Sequence, residues 1–428
     1  MTWWPVFFLF LFLFAGAAIA YVIGATAVLS YITSDRTRYL AIIPQRIFAQ
    51  LDVFALLAMP LFILTGEIMN RAGITRVLID FSLSIVGRLK GGLGHVNILT
   101  SVFFAGISGS AVADAAALSN TLVPAMKERG YTVAYAGAVT AASSIIGPII
   151  PPSIVLIIYG ALMQTSVAAL FIAGIAPGLL LAFSLLLVNA WIAHRNDHPG
   201  GRHEQAPPFW PAFVKAAPAL SLPLIILGGI VFGLTTPTEA SAIAAVAAIL
   251  VGLYYGGLNR HTLKEAFERA AMLTGAIFII LSAVAVLGYL AGLMGWPDFL
   301  ADIVQSAGLS GLEYLLLINL VFLAAGMIFD IAVALTLLVP ILAPVALAQG
   351  VDPVHLGIVL CFNLCIGLIT PPLGGCLIIV STVTKIGYWK LARAILPFVI
   401  VEAAVLAVLT TVPDIALFLP RIFGLTDG

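Results

Sequence analysis

The sequence predicts an all-α polytopic membrane protein with two inverted repeats, each holding a re-entrant helical hairpin and a proline-broken transmembrane helix. Three observations predict this class. Of the 428 residues, 62% are hydrophobic and 9% are charged, and apolar runs of membrane-spanning length follow one another along the chain. One long segment recurs further along the chain with its glycines and prolines in register. The charges that flank the two copies have opposite signs.

The repeat is defined by seven positions that carry the same residue in both copies. With 39 glycines and 24 prolines in the chain, chance would give roughly half of one such pair. Composition therefore does not explain the recurrence. The first copy has Gly106, Pro124, Gly130, Gly137, Gly147, Pro151 and Pro152, and the second has Gly326, Pro344, Gly350, Gly357, Gly367, Pro371 and Pro372.

We expect the chain to cross the membrane nine times. The first span is predicted to be an uncleaved helix rather than a signal peptide, because no basic residue precedes its apolar run. Trp3, Trp4 and Tyr31 bracket this span as interfacial aromatic residues. The basic residues that follow it do not fit the charge rule, so the N-terminal orientation stays open. The other spans are predicted at about 47–70, 132–164, 166–193, 216–234, 237–257, 271–294, 353–384 and 394–419.

Two further apolar stretches, about 93–128 and 311–349, are predicted to be re-entrant hairpins. Gly106–Ser110 interrupts the first, and Gly326–Asp330 interrupts the second. The interruptions leave arms of about fifteen residues, which are too short to span a bilayer alone. Each hairpin directly precedes a segment that prolines break, as in transporters whose substrate site lies between discontinuous helices.

The flanking charges predict that the two hairpins enter from opposite sides of the membrane, because Lys and Arg accumulate in cytoplasmic loops. The polar stretch 194–215 is predicted to be a cytoplasmic linker between a first repeat, 1–193, and a second repeat, 216–428. Basic residues flank the first hairpin and acidic residues flank the second: Arg88, Lys90, Lys127 and Arg129 against Asp298, Asp302, Glu313 and Asp352.

The breaks themselves predict ion and anion sites. Proline frees backbone carbonyl groups that suit a dehydrated cation, and backbone amides that suit a carboxylate. A charge inside a membrane segment is costly, so Asp114 and Asp330 are candidates for function. Serines and glycines also allow close helix packing without binding anything, and this alternative stays open for each of them. Oxygen ligands that suit sodium are offered by Ser143 and Ser144 before the first break and by Ser108 and Ser110 in the first hairpin interruption. Asn363, Thr370 and Asp330 occupy comparable places in the second repeat.

Other polar groups have simpler interpretations. The basic residues lie mostly between apolar runs, which excludes a nucleic-acid surface. The cysteines at 361, 365 and 376 fall within or beside one apolar segment and are interpreted as packing residues. The histidines at 194, 198 and 203 are interpreted as part of a solvated loop rather than a metal site. Glu67 and Glu239 are intramembrane acids by position, serving an ion pathway or a local backbone contact. Segments 74–90 and 258–270 are predicted to be interfacial helices.

Five motifs together resemble the large membrane subunit of tripartite ATP-independent periplasmic (TRAP) transporters. The first motif is FAGISGSAVADAAALSNTLVPAMKERGY, from Phe104 to Tyr131. The resemblance covers nearly the whole chain, and only Gly374-Gly375-Cys376 departs from the family pattern, where relatives are often bulkier or more polar. The other motifs, in family order, are TAASSIIGPIIPPSI at 140–154, TPTEA at 236–240, DPVHL at 352–356 and GLITPPLG at 367–374.

The resemblance implies sodium-coupled uptake of a small organic acid, a C4-dicarboxylate or a sialic-acid-like carboxylate, across the bacterial inner membrane by an elevator movement. It implies a periplasmic binding protein and a small four-helix membrane subunit as partners, sodium as the coupling ion, and no other cofactor or transition metal. A proton-coupled transporter of the same architecture, a channel and an intramembrane enzyme remain as alternatives. The implied sodium ligands are Ser108, Ser110, Ser143, Gly147, Pro148, Asp330, Asn363, Gly367 and Thr370. The implied substrate-binding residues are Gly109, Ser144, Pro151, Pro152, Pro371, Pro372 and Gly374.

Overall fold

The computed structural model describes residues 4–200 and 206–426. Within these residues the chain forms twenty α-helices and two short 3-10 segments, and it contains no strand. Eight helices or helical segments are long and apolar enough to cross a membrane. The predicted class, an all-α polytopic membrane protein, is therefore confirmed.

The N-terminal apolar run forms two short helices, so the predicted single span is wrong. The chain turns after the first helix, where Gly16 has a φ of 75°. A helix of 11 residues is about 16 Å long, which is roughly half of the hydrocarbon thickness. Tyr31 is also buried rather than interfacial, and its hydroxyl donates to the carbonyl of Val286 at 3.3 Å. The first five helices are α1 (Trp4–Phe14), α2 (Ile19–Thr33), α3 (Ile43–Leu51), α4 (Ala58–Arg71) and α5 (Ile74–Val86).

Each half of the chain contains one hairpin followed by one proline-broken segment. In the first half the helices are α6 (Gly92–Ser108), α7 (Ala111–Glu128), α8 (Val133–Ser144), α9 (Ile154–Met163) and α10 (Val167–Arg195). Four helices then follow: α11 (Phe209–Val231), α12 (Pro237–Tyr254), α13 (Arg260–Leu293) and α14 (Trp296–Ser306). The second half has α15 (Gly311–Ile328), α16 (Ile331–Ala348), α17 (Pro353–Gly367), α18 (Gly375–Thr384), α19 (Tyr388–Thr411) and α20 (Asp414–Ile422).

The helix bounds keep the spacing of the sequence repeat. Helices α16 and α17 each begin 220 residues after α7 and α8. Helices α6 and α7 pack together as one hairpin, and α15 and α16 pack together as the other. The breaks also lie where the prolines predict them, between α8 and α9 and between α17 and α18. The opposite orientation of the halves, which depends on loop charges, stays a prediction.

The predicted length of the hairpin arms is wrong. The arms contain 17 or 18 residues rather than about fifteen. Both arms of the second hairpin satisfy the length and hydropathy of a spanning helix. The interruption at each tip, and not the arm length, is thus the feature that distinguishes these segments.

Two polar segments of the second half can be compared with the sequence predictions. Of the two roles considered for Glu239, an ion pathway or a local backbone contact, the structure shows the contact, because Glu239 lies in the first turn of α12 and accepts from the amide of Thr236 at 2.7 Å. The Thr236 hydroxyl in turn accepts from the amide of Glu239 at 3.3 Å, which completes a capping box. Segment 258–270 is not a separate interfacial helix, because most of it forms the start of the long helix α13.

The start of the polar linker is docked on the protein, so its interpretation as a solvated loop is wrong at His198. The His198 ring is buried against Tyr135 and Tyr131, with centroid distances of 4.2 Å and 5.4 Å. Asp197 lies 2.5 Å from Lys90, which lowers the pKa of this carboxyl. No three His, Cys, Asp or Glu side chains converge within residues 4–200 and 206–426, and His203 lies outside the described residues.

This docking predicts a pH dependence of stability. Burial lowers the pKa of His198 below its ordinary value, so the unfolded chain binds a proton first as the pH falls below about 6.5. The burial of neutral His198 therefore contributes fully to the free energy of unfolding above that pH, and this contribution is lost as the pH falls. We expect the apparent Tm to fall from about pH 7.5 to about pH 5.5, and to fall less in His198→Phe, which keeps an aromatic ring but never charges. His261→Gln, at an exposed histidine, serves as the control. An equal fall of the apparent Tm in His198→Phe and His261→Gln would contradict the prediction.

Candidate functional site

The tips of the two hairpins present helix N-termini at equivalent positions. Ser110 caps α7 by accepting from the amide of Ala113 at 3.4 Å. Asp330, which is 220 residues further along, caps α16 by accepting from the amide of Ala332 at 3.1 Å. Between the arms of the first hairpin, Gly109 has a φ of 60°, a conformation that favours glycine. Each tip thus exposes the positive end of a helix dipole.

Asp114 lies one turn beyond the first tip and is fully buried. One of its carboxylate oxygens accepts from the hydroxyl of Ser108. The other oxygen has no hydrogen-bond partner within the described part of the chain. It faces Gly147 in the first helix break, where a Cβ would lie 2.4 Å from it. Asp114, a functional candidate from sequence, therefore lies beside Ser108 and Gly147, two residues that are predicted to bind sodium.

The first break is anchored to the first hairpin by hydrogen bonds through Ser143. Its hydroxyl donates to the Asn97 side-chain carbonyl at 3.0 Å and accepts from the Ser101 hydroxyl at 2.9 Å. The neighbouring Ser144 hydroxyl donates to the carbonyl of Ala141 at 2.7 Å. Both serines are fully buried, and the Ser143 hydroxyl connects α8 with α6, whereas the Ser144 hydroxyl bonds within α8.

The second break is anchored to the second hairpin in the corresponding way. Asn363, the counterpart of Ser143, donates to the backbone and side-chain oxygens of Asn319, both at 2.8 Å. The Asn363 side-chain oxygen is buried and has no partner among the described residues. The amide of Gly374 donates to the carbonyl of Met327 at 3.2 Å, and the Thr370 hydroxyl donates to the carbonyl of Ile366 at 2.7 Å. Asn97 and Asn319 were missed, although an amide within an apolar arm is itself a signal.

A cavity of about 420 Å³ joins the two hairpin tips. Helices α4 and α13 close it, through residues that include Gly66, Glu67 and Ile277. Five predicted site residues line the cavity: Ser108, Gly109, Ser110, Pro148 and Asp330. The other predicted site residues do not line it: Ser143, Ser144, Gly147, Pro151, Pro152, Asn363, Gly367, Thr370, Pro371, Pro372 and Gly374. The cavity therefore brings together the tips rather than the two Pro-Pro pairs.

A second cavity, of about 620 Å³, adjoins the first and contains two arginines. Six residues line both cavities, among them Glu67, Asn70 and Ser110. The side chains of Arg76 and Arg269 are exposed and line only the second. Glu67 lies 3.5 Å from the side chain of Arg71, an ion pair rather than the backbone contact considered from sequence, and it lines both cavities. The guanidinium groups of Arg76 and Arg269 in the second cavity favour an anionic solute.

The chain matches the family described as the tripartite ATP-independent periplasmic transporter, DctM component, over residues 6–415. It belongs to this family. It is 38% identical to the sialic acid TRAP transporter large permease protein SiaM of Vibrio cholerae, with 96% of each chain covered. It is 35% identical to the C4-dicarboxylate TRAP transporter large permease protein DctM of Pseudomonas aeruginosa, with 94% of each chain covered. The protein is thus a transporter permease subunit of a multi-pass membrane type and not an enzyme.

A solved structure supports the fold of this large permease. The YdaH transporter of Alcanivorax borkumensis matches it with a TM-score of 0.66 over 95% of this chain and 97% of that one. The sequence identity is 17%, so the likeness concerns the fold alone. The buried cysteines Cys361, Cys365 and Cys376 form no disulfide, in keeping with packing residues in such a helical core.

Proposed function

We propose that this large permease couples sodium entry to the uptake of a small organic acid, a C4-dicarboxylate or a sialic-acid-like carboxylate. The observation that carries the proposal is the cavity in which both hairpin tips meet. Helix N-termini at Ser110 and Asp330 suit a carboxylate, and the names of the two relatives above refer to acids of this class.

Sodium is favoured as the coupling ion by the oxygen atoms beside the breaks. Among the described residues, one carboxylate oxygen of Asp114 and the amide oxygen of Asn363 have no hydrogen-bond partner. The Asp114 oxygen faces Gly147 in the first break, and Asn363 lies in α17, which ends at the second break. The backbone carbonyl groups at these breaks are further candidate ligands. In the proposal, Ser108, Ser110, Ser143, Gly147 and Pro148 surround one ion, together with Asp114. The second ion is held by Asp330, Asn363, Gly367 and Thr370.

Proton coupling is the alternative, and a specific observation favours it. Glu402 in α19 is fully buried, and neither of its carboxylate oxygens has a hydrogen-bond partner among the described residues. A carboxyl group in such surroundings is costly when charged and is a candidate proton carrier. Glu402 does not line the cavity between the tips, which is why sodium remains the first proposal.

The proposal includes the rest of a tripartite system in the bacterial inner membrane. A periplasmic binding protein delivers the acid, and a small four-helix membrane subunit joins the outer helices of the permease as a fixed scaffold. The hairpins α6–α7 and α15–α16 and the broken helices move as one unit in an elevator step. The family description, with its words tripartite and periplasmic, supports this arrangement.

Uptake into proteoliposomes tests the coupling. The permease and its small subunit are reconstituted, and the binding protein is added outside with a radiolabelled acid. We expect accumulation with an inward sodium gradient and none when potassium replaces sodium. Uptake that follows an imposed proton gradient and ignores sodium would favour the alternative. Uptake that needs neither gradient would contradict both.

The identity of the acid is tested separately on the binding protein. We expect its Tm to rise with one or a few carboxylates from a panel that includes sialic acid and C4-dicarboxylates, because selection precedes delivery to the membrane. A response only to neutral solutes would contradict the organic-acid proposal.

A further inference from the structure

A third cavity, of about 630 Å³, lies away from the hairpin tips and is lined by three lysines. It is formed where the end of α7, the start of α8 and the junction of α18 with α19 meet. Lys127 comes from α7, Lys385 follows α18, and Lys390 lies in the first turn of α19. No Asp or Glu lines this lysine cavity, and it shares no residue with the cavity between the tips.

These three lysines differ from the other lysines of the chain. The chain contains six, and the remaining three each have an acidic neighbour. Lys90 lies 2.5 Å from Asp197, Lys215 lies 3.9 Å from Asp80, and Lys264 lies 3.5 Å from Glu268. The cavity lysines have no ion pair within residues 4–200 and 206–426. Three exposed lysines that line one cavity, with no ion pair in the described part of the chain, attract a multiply charged anion.

Neutral hydrogen-bond donors complete the lining. The side chain of Ser119 is 1% exposed, and its hydroxyl has no partner among the described residues. A buried hydroxyl without a partner is costly, so its position at a cavity wall indicates a missing acceptor. Val133 and Ala134 also line the cavity. They are the first two residues of α8, whose backbone amides have no acceptor within the helix and which favour an anion.

We propose that the lysine cavity binds a phosphate group, as inorganic phosphate or as the headgroup of an anionic phospholipid. The oxygens of a phosphate accept several hydrogen bonds at once, which matches three ammonium groups, a buried hydroxyl and helix amides better than the single acceptor pair of a carboxylate. A bound phosphate connects α7 of the first hairpin with α18, which follows the second break. The site is thus a ligand site of the large permease apart from the transported acid.

The test compares two triple variants of the full-length chain purified in detergent. Lys127→Gln, Lys385→Gln and Lys390→Gln together remove the cavity charges. Lys90→Gln, Lys215→Gln and Lys264→Gln together make the same charge change at the paired lysines. The apparent Tm is followed as inorganic phosphate is added, with sodium chloride of equal ionic strength as the blank.

We expect phosphate to raise the Tm of the unmodified chain and of the paired-lysine variant. In the cavity variant, half-saturation should need at least about ten-fold more phosphate. Ser119→Ala, which changes no charge, should also weaken the rise of the Tm with phosphate. This variant is the test of the proposal if the cavity variant does not fold. Equal responses in all chains, or no response to phosphate and to the lipids below, would overturn the proposal.

A second arm distinguishes the source of the phosphate. Dihexanoyl-phosphatidylglycerol and dihexanoyl-phosphatidylcholine replace inorganic phosphate in the same titration. A lipid headgroup is the ligand if phosphatidylglycerol acts at about ten-fold lower concentration than phosphate and phosphatidylcholine does not. A free anion is the ligand if inorganic phosphate acts at least as strongly as phosphatidylglycerol. Equal action of both lipids in the cavity variant and the unmodified chain would exclude the lysine cavity as the site.

Discussion

Replacing Asp330 by Asn is expected to weaken the sodium activation of uptake by at least about ten-fold, while leaving the protein folded. Asp330 lies at the second hairpin tip, exposed to the cavity, and caps α16 through the amide of Ala332. Asn is as good an N-cap as Asp, so the variant keeps this hydrogen bond and loses the negative charge. The measurement is the sodium concentration for half-maximal uptake in proteoliposomes.

Asp352→Asn provides a matched control for this prediction. Asp352 also caps a helix, accepting from the amides of Val354 and His355 at 2.8 Å and 3.0 Å, but it does not line the cavity. We expect its sodium activation to be unchanged. Normal sodium activation in Asp330→Asn would remove Asp330 from the proposed ion site.

Replacing Gly367 by Ala is expected to destabilise the permease by about 1–3 kcal/mol and to abolish uptake. Gly367 ends α17 at the second break, where a Cβ would lie 2.5 Å from the backbone of Gly326 in α15. Backbone atoms cannot move aside as the end of a side chain can, so the hairpin and the broken helix must separate. Apparent Tm and the fraction of monodisperse protein after heating measure the effect.

The control for Gly367→Ala is Gly275→Ala. Gly275 lies within α13 and has no atom within 4 Å of an added Cβ. Alanine there should leave the Tm unchanged or raise it slightly, because it favours the helix. Equal Tm values for the two variants would show that close packing at Gly367 is not required.

The helix breaks and hairpin tips could be predicted from sequence because their causes are local. Pro151-Pro152 and Pro371-Pro372 remove amides wherever they occur, and Gly109 permits a turn that other residues resist. The same holds for Thr236 and Glu239, whose spacing is a capping-box signature that predicts the local backbone contact of Glu239. Local chemistry therefore located the breaks and the hairpin tips along the chain.

Contacts between distant residues could not be predicted in this way. The bonds of Ser143 to Asn97 and of Asn363 to Asn319 depend on how α6 and α15 pack on the broken helices. Hydropathy likewise gives no sign that the N-terminal run is divided into α1 and α2 or that Tyr31 is buried. Periodicity and composition report exposure to lipid, and they do not report which apolar neighbour a helix meets.

The most direct test of the sodium sites is equilibrium binding of radioactive sodium to the purified permease without substrate. Saturable binding is predicted, with competition by unlabelled sodium and not by potassium, and the Asp330→Asn variant should lose a large part of it while Asp352→Asn keeps it. The absence of saturable sodium binding, or undiminished binding in Asp330→Asn, would contradict the account.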